Sequence, residues 1–479
     1  GNKPWLRESF ATRSGLRQER WAVEFIRKTN DRFVKLGRPD AAAIAGLSAE
    51  QRRAVGELLA SRDQVVCLRG AAGAGKTTTL KALHHSLTLD GQRVHICAPT
   101  TSAVETLRHD DMTADTVAGF LAKSPGRQDL RGAILVVDEA GLASNRQGAE
   151  ILQLAERHEA RVIFLGDSRQ HTSVEAGDFL RILEMHAPLH QVELTDIRRQ
   201  TVAAYRNAVR HMASGLAKVG LERLDLLGWI KEGRADYLRA AVGDFLKLSH
   251  EGQRLDSVLA VTPTWEENNA FTDLLRNELK TRGVLQSGEI VSTHVPLSWT
   301  KVQLTRAANY TPGLVVIFDR AMAGFQHGEF ASVSRVKGGK VWLQGAGSER
   351  CLPLARGGFS VATAEPLEIC PGDKLLIRAN APAAKLINGQ TLTVASVRNG
   401  QIETAEGRCI DANRFRQFTH GFAVTSHRSQ SKTCDHVVVA AARLDAKAAY
   451  VACSRGRLSC TLHTPDKAAL LDRLPEGKR

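Results

Sequence analysis

Gly70-Ala71-Ala72-Gly73-Ala74-Gly75-Lys76-Thr77 is the stretch on which the reading of this chain turns. It fits G-x-x-x-x-G-K-[ST], follows the apolar run Val65–Leu68 and opens a helical pattern over 76–88. Strand, glycine-rich loop and helix, in that order, aim backbone N–H groups and a helix N-terminus at phosphate oxygens. Lys76 would then reach the β- and γ-phosphates, and the Thr77 hydroxyl would bind Mg²⁺. Gly73, Ala74, Gly75, Lys76, Thr77 and Thr78 are therefore the ATP-binding candidates of this loop.

Further along, Val136-Val137-Asp138-Glu139-Ala140 ends an apolar run on two acids. A carboxylate at the carboxyl edge of a sheet is where a Mg²⁺ ligand is needed, which suits Asp138; Glu139 would orient and deprotonate water. Phe164-Leu165-Gly166-Asp167-Ser168-Arg169-Gln170 is a third strand end, and Gln170 is placed to sense a γ-phosphate. The strands Val65–Leu68, Val94–Ala98, Ile134–Val137 and Val162–Leu165 alternate with helical stretches near 76–88, 101–108, 147–158 and 176–186. That alternation predicts an α/β fold with a helix-covered parallel sheet. A second α/β segment starts at Val258–Val261, continues into a helix over 266–282, and resumes at Phe422–Thr425 and Val437–Ala441. Between them, alternating stretches such as Lys340-Val341-Trp342-Leu343 and the turn signals Gly338-Gly339 and Asn399-Gly400 predict an antiparallel β insertion. At the front, 15–36 reads as a basic amphipathic helix with Trp21, Phe25 and Val34, and Ser48 reads as an N-cap with Gln51 three residues on.

The 479 residues are 43% apolar and 24% charged, which fits a folded chain of about three domains and excludes a mainly disordered one. Lys and Arg number 65 against 51 Asp and Glu, a net +14 that favours a polyanionic partner, nucleic acid or an anionic membrane surface. No run of about 18 apolar residues is present, so no spanning helix is expected. The start, Gly1-Asn2-Lys3-Pro4-Trp5, has no initiator Met and no apolar leader, which suggests a piece of something longer. The eight cysteines form no C-x-x-C pair and the sixteen histidines no H-E-x-x-H, so reduced thiols in a bacterial cytoplasmic protein are expected rather than a disulfide or metal framework.

Taken in order, Gln51, the glycine-rich loop, Ala98-Pro99-Thr100-Thr101, Asp138-Glu139-Ala140-Gly141 and Gly166-Asp167-Ser168-Arg169-Gln170 resemble superfamily 1 helicases, and more narrowly the RecD-like 5′→3′ branch, superfamily 1B. The likeness continues through Cys370-Pro371-Gly372-Asp373-Lys374, Asn388-Gly389-Gln390, Ala423-Val424-Thr425-Ser426-His427-Arg428-Ser429-Gln430 and Tyr450-Val451-Ala452-Cys453-Ser454-Arg455-Gly456-Arg457. Trp299-Thr300 through Ala308-Asn309-Tyr310-Thr311-Pro312-Gly313 is similar to the helicase part of conjugative relaxase-helicases of the TraI and TrwC (MobF) kind. The resemblance covers roughly residues 45–465.

The resemblance implies two RecA-like parallel-sheet P-loop domains closing on ATP and Mg²⁺, with a small SH3-like β insertion in the second. Its boundaries would be a basic helical segment at 1–46, domain 1A at 47–200 with a 1B insertion at about 108–130, domain 2A at 201–300 and 420–479, and domain 2B at 301–419. It implies that Gln51 reads adenine, that Gln430 belongs to the ATP site, and that Arg199 and Arg455 reach the γ-phosphate, with Arg198 the alternative to Arg199. An Arg on transition-state charge contributes about 10³-fold or more. Thr100 and Thr425 would contact the DNA backbone; His427 would contact DNA or relay between DNA and nucleotide. Trp265 and Phe120 are stacking candidates, core packing being the alternative for each. Ser431 stands where the family usually has Gly.

The implied activity is an ATP-dependent 5′→3′ single-stranded DNA translocase and helicase, acting on single-stranded, duplex and fork DNA, with no membrane partner. A relaxase domain upstream and the conjugative transfer machinery are the implied partners. The relaxase chemistry itself is not expected within these residues, which hold four tyrosines and no His-x-His; no DNA nicking is expected. A RecD-like repair helicase and a non-unwinding single-strand clamp are the other readings.

Overall fold

The computed structural model describes residues 13–474 except Pro125, Arg127, 172–176, 345–348 and Ser431. The chain divides into two compact units: one of 1–250, 254–271 and 424–479, the other of 251–253 and 272–423.

Six strands form the first sheet: β1 (Val65–Gly70), β2 (Val94–Ala98), β3 (Ala114–Thr116), β4 (Ile134–Val137), β5 (Arg161–Gly166) and β6 (His190–Leu194). Their order is β3-β2-β4-β5-β1-β6 and every pairing is parallel. Both faces are covered, as apolar runs without polar alternation require. Val66, Leu68, Ile96, Val136, Ile163 and Leu165 enter one core. Their neighbours Val65, Cys67, Cys97, Leu135, Val137 and Phe164 enter the other, against the helix Asn145–His158 and Phe25 of the N-terminal helix. Since β4, β5 and β1 are adjacent, the three polar tips that follow them open on one edge.

Local signals set the helices. Ser48 and Gln51 form a capping box on Ala49–Ala60, and Ser144 and Gln147 form another on Asn145–His158. The N-terminal helix runs Arg13–Thr29, shorter than 15–36. It stops where Asp31 takes a positive φ of 54° and the Phe33 N–H bonds Arg62 O at 2.8 Å, leaving Val34 84% exposed.

The second sheet of this unit joins Ala423–Val424, Val258–Val261, Cys434–Ala440, Gly456–Thr464 and Ile230–Glu232, in that order. Its core takes in Tyr205, Val261, Val437, Val439, Tyr450 and Leu462, and also Ala72 of the glycine-rich loop.

The other unit is β-rich and begins near Thr272 rather than 301. It holds one antiparallel six-stranded sheet within Glu289–Ile369 and one five-stranded sheet within Lys374–His420. Gly338-Gly339 and Asn399-Gly400 are tight turns, with φ of 58° and 70° and of 52° and 75°. Two positive φ values in a row suit a twisted hairpin. The stretch 108–130 is not a separate insertion: it supplies β3 to the first sheet and the helix Val117–Lys123.

All eight cysteines are free; five are buried, while Cys351 and Cys409 in the β-rich unit are exposed. No helix among the described residues is long and apolar enough to cross a membrane.

Candidate active site

The loop after β1 runs into the helix Lys76–Leu89 with Gly75 as its left-handed N-cap. Gly73 and Gly75 have φ of 82° and 84°, where an L side chain is strained. At Gly73 space also decides, because a Cβ there would lie 2.6 Å from the Arg199 Cβ. The loop is therefore tailored to Arg198 and Arg199 as well as to phosphate, and Arg198 N–H bonds Gly73 O at 2.9 Å. Lys76 Nζ donates to Gly70 O at 2.6 Å. Gln51 serves two ends: Oε1 accepts from Ser48 N–H at 3.0 Å and Nε2 donates to Gly75 O at 3.3 Å.

A cleft of about 430 Å³ opens over this loop, lined among others by Gly73, Gly75, Lys76, Thr77, Thr78, Asp138, Glu139, Gln170, Arg199 and Arg455. Of the residues singled out from the sequence as catalytic or metal-binding, all face it. Ala74 is buried beneath the loop. Asp138 is 7% exposed, and burial first, then the neighbouring Glu139 charge, push its pKa up to about 7, against the Glu139 N–H and Lys76. Glu139 has a positive φ of 52° and accepts from Gln430 Nε2 at 2.5 Å. That bond joins the two sheets' edges across the cleft.

The arginines come from the second sheet's side and from the segment after β6. Arg455 is 2% exposed and donates to Val451 O at 2.8 Å, Ser454 Oγ at 2.8 Å and Gln170 Oε1 at 3.2 Å. Arg199 Nη1 donates to Ser454 O at 2.9 Å. Burial, then each other's charge, pull the Arg199 pKa down to about 10; burial lowers that of Arg455, with Glu139 opposing. Arg198 also lines the cleft, but it is exposed and reaches Gln51 Oε1 at 3.4 Å.

One residue the sequence reading passed over closes this circuit. Tyr450 OH donates to Asp167 Oδ2 at 2.8 Å and accepts from Ala72 N–H at 2.7 Å. Asp167 Oδ2 also takes Gln170 Nε2 at 3.1 Å. One buried phenol thus ties the glycine-rich loop, the end of β5 and the helix that leads to Arg455. Its only sequence signal is its place five residues before Arg455.

A family profile described as an AAA domain matches residues 46–235. A probable conjugal transfer protein TraA of Sinorhizobium fredii is 25% identical over 425 residues, covering 86% of this chain and 32% of its own length. The ATP-dependent RecD2 DNA helicase of Deinococcus radiodurans is 34% identical over 178 residues, covering 36% of this chain and 24% of its own. The profile's range takes in Gly73, Lys76, Asp138, Glu139, Gln170 and Arg199 of the cleft just described. The chain is similar to RecD-like helicases and to conjugal transfer proteins. It spans about a third of the TraA relative and a quarter of RecD2. Among solved structures, a Bacteroides Pif1 bound to single-stranded DNA aligns with 89% of this chain and 96% of its own at a TM-score of 0.48 and 15% identity.

The residues assigned to a DNA strand are more scattered. Thr100 is the N-cap of Thr101–His109, its Oγ1 accepting from Ala103 N–H at 3.2 Å. Thr425 is half-buried and starts the loop that carries His427. The His427 ring stacks on His171 with centroids 3.7 Å apart and planes 13° apart. His171 was not foreseen; it bonds Ser426 Oγ at 3.0 Å, and burial, then His427, lower its pKa to about 3. Trp265 is 39% exposed and Arg428 sits 5.8 Å from its ring centre. Phe120 corrects the expectation. It is 2% exposed and packs in the first sheet's core beside His95, so it offers no stacking face. Val117, Phe120 and Leu121 follow the i, i+3, i+4 spacing of a core stripe. Ser431 lies outside the described residues.

Proposed function

We propose that the chain is an ATP-driven 5′→3′ translocase on single-stranded DNA that unwinds duplex and fork DNA, the motor part of a conjugative relaxase-helicase. The observation that carries this is the pair of contacts across the cleft, Gln430 to Glu139 at 2.5 Å and Arg455 to Gln170 at 3.2 Å. They link the hydrolytic carboxylate and the γ-phosphate-facing amide to the loop of Thr425 and His427. A change at the nucleotide is then felt where the strand is held.

In this reading Gln51 reads the adenine, the loop N–H groups and Lys76 hold the phosphates, and Thr78 stands at the mouth of the loop. Glu139, oriented by Gln430, takes the proton of the attacking water. Arg199 and Arg455 offset charge on the transferring phosphoryl group. The donors fit a hard divalent cation: the Thr77 hydroxyl and the Asp138 carboxylate, whose raised pKa marks a buried charge short of a counter-charge. A Mg²⁺ ion held by Thr77 and Asp138 would neutralise phosphate charge. Thr100 on one lobe and Thr425 on the other grip the backbone in turn.

The breadth of the TraA match supports the conjugative setting, with a relaxase domain upstream in the full-length protein and transfer machinery in the cytoplasm as partners. The higher identity to RecD2 favours a repair helicase as the second reading, and the sequence upstream in the gene separates the two. The test is strand displacement with Mg-ATP on duplexes bearing a 5′ tail, a 3′ tail or no tail. Unwinding of the 5′-tailed duplex alone is expected, lost in K76A, which should still bind single strands. Unwinding of the 3′-tailed duplex alone would overturn the direction.

A further inference from the structure

The backbone that carries Arg455 is pinned, carbonyl by carbonyl, by the segment that carries Arg199. Tyr205 OH donates to Cys453 O at 2.5 Å, and Thr201 N–H donates to Arg457 O at 2.9 Å. Between them, Ser454 O accepts from Arg199 Nη1 at 2.9 Å and from Gln200 Nε2 at 3.0 Å. Gly456 O accepts from Gln200 Nε2 at 2.8 Å. The NH₂ group of Gln200 therefore holds the carbonyl before Arg455 and the carbonyl after it. Arg455 sits in the turn between the helix Ala446–Cys453 and the strand Gly456–Thr464. The fit is close there, since a Cβ on Gly456 would lie 2.8 Å from the Tyr205 hydroxyl.

Gln200 is fully buried, and its own main-chain oxygen accepts from Arg206 Nε at 2.8 Å. Its Oε1 is shut off from solvent and has no hydrogen-bond partner. A buried acceptor left unpaired costs stability, so an apolar side chain of the same shape would serve packing as well. What such a side chain lacks is the pair of donors. Their effect falls on the arginine. The main chain of Arg455 is fixed on both flanks, and its guanidinium is then aimed by Val451 O, Ser454 Oγ and Gln170 Oε1. A group that acts on transition-state charge must be held to within about 0.5 Å, and a misplacement of about 1 Å can cost about 10²-fold.

We propose that Gln200 is the positioning residue of Arg455, acting through the carbonyls of Ser454 and Gly456 and touching no reacting atom itself. Because Gln200 follows Arg199 in the chain, the same amide ties the two arginines into one body, and both meet the γ-phosphate at a fixed spacing. This rests on the γ-phosphate role of Arg455 proposed above, and deepens it by naming what sets that arginine's place.

The test is single-turnover ATP hydrolysis by the whole chain with oligo-dT, protein in excess so that slow variants are still read, beside the thermal midpoint of each variant. Q200M keeps the shape and removes the donors. It should slow hydrolysis about 10²-fold, with half-saturation and midpoint near wild type. R455A should be slower by about 10³-fold or more, and Q200M/R455A no slower than R455A, because no arginine is left to position. Q200E keeps one donor while its carboxyl is protonated, so its rate relative to wild type should climb as pH falls from about 8 to about 6. Wild-type turnover in Q200M overturns the proposal, and so do losses that multiply in the double variant, which mark a structural role. If Q200M does not fold, the Q200E profile decides, and a flat one overturns the proposal. Normal turnover in R455A would instead overturn the γ-phosphate role of that arginine, and the positioning role with it.

Discussion

Arg276 and Arg455 are both buried guanidiniums, and their surroundings are opposite. Arg276 Nε and Nη2 lie 2.8 and 2.9 Å from the two oxygens of Asp373, a fully buried carboxylate that also accepts from Cys370 N–H at 2.7 Å. Burial works to lower the Arg276 pKa, yet the Asp373 hydrogen bond and charge leave it above the ordinary value. Arg455 instead donates to a backbone carbonyl, a hydroxyl and an amide, all neutral, and burial wins. A cation cancelled inside the fold serves the fold. One held by neutral acceptors keeps its charge for something that arrives. Arg199 belongs with Arg455, whereas Arg161, which bonds Ser61 O, Asp63 O and Val34 O, shows that carbonyls can also use a guanidinium as a structural clamp. What separates them is the cleft: Arg199 and Arg455 line it and Arg161 does not.

The largest effect that can break this contrast is R455A. It should lower DNA-stimulated ATP turnover by about 10³-fold or more while leaving the thermal midpoint near wild type. Normal turnover in that variant would remove the catalytic half of the comparison. Next comes R276A, which strands the Asp373 carboxylate and should cost about 3–5 kcal/mol of stability in urea unfolding; R276M/D373L should recover much of the loss. An unshifted R276A midpoint would show that the pair is not structural. Y450F is smaller. Losing the hydroxyl leaves Asp167 and the Ala72 N–H each short of a partner, and kcat should fall about 10-fold, on the order of 1.4 kcal/mol, with single-strand affinity unchanged. A purely structural Tyr450 would lower the melting temperature and leave kcat alone.

The smallest effect is a pH dependence. Burial tends to raise the Asp244 pKa, but hydrogen bonds from His463 at 2.9 Å and Lys231 at 2.5 Å hold it down at about 2, against an ordinary 3.8. A depressed carboxylate contributes stability above its unfolded pKa and loses it as pH falls through the folded one. D244N should therefore cost about 1 kcal/mol at pH 7, discounted for solvent screening, and its difference from wild type should shrink between pH 4 and 2. A difference that is flat across that window would sink the assignment.

The first lobe was legible because each of its signals is local. A glycine-rich loop between a strand and a helix, acids after an apolar run, and a Ser with Gln three residues on each require only a few neighbouring residues. The arginines needed the family resemblance, since Arg199 is one of many and only the fold brings it against Gly73. Tyr450 and His171 escaped for the same reason: their partners lie 283 and 255 residues away, and no spacing encodes that. The strand β3 is three residues long and contains Asp115, too short and polar to register. Hence 108–130 read as an insertion and Phe120 as available. In the β-rich unit the hairpin turns announced themselves through paired glycines, but its first strand, Glu289–Pro296, has no turn signal pairing it with Phe359–Ile369, so the boundary fell late.

The exposed thiols have a practical use. Cys351 and Cys409 both sit in the β-rich unit, and the buried cysteines are shielded by the fold. A maleimide dye should therefore mark that unit first, and C409S would leave one preferred address at Cys351. The chain carries its own attachment point for watching, molecule by molecule, whether that unit shifts when ATP and DNA are supplied.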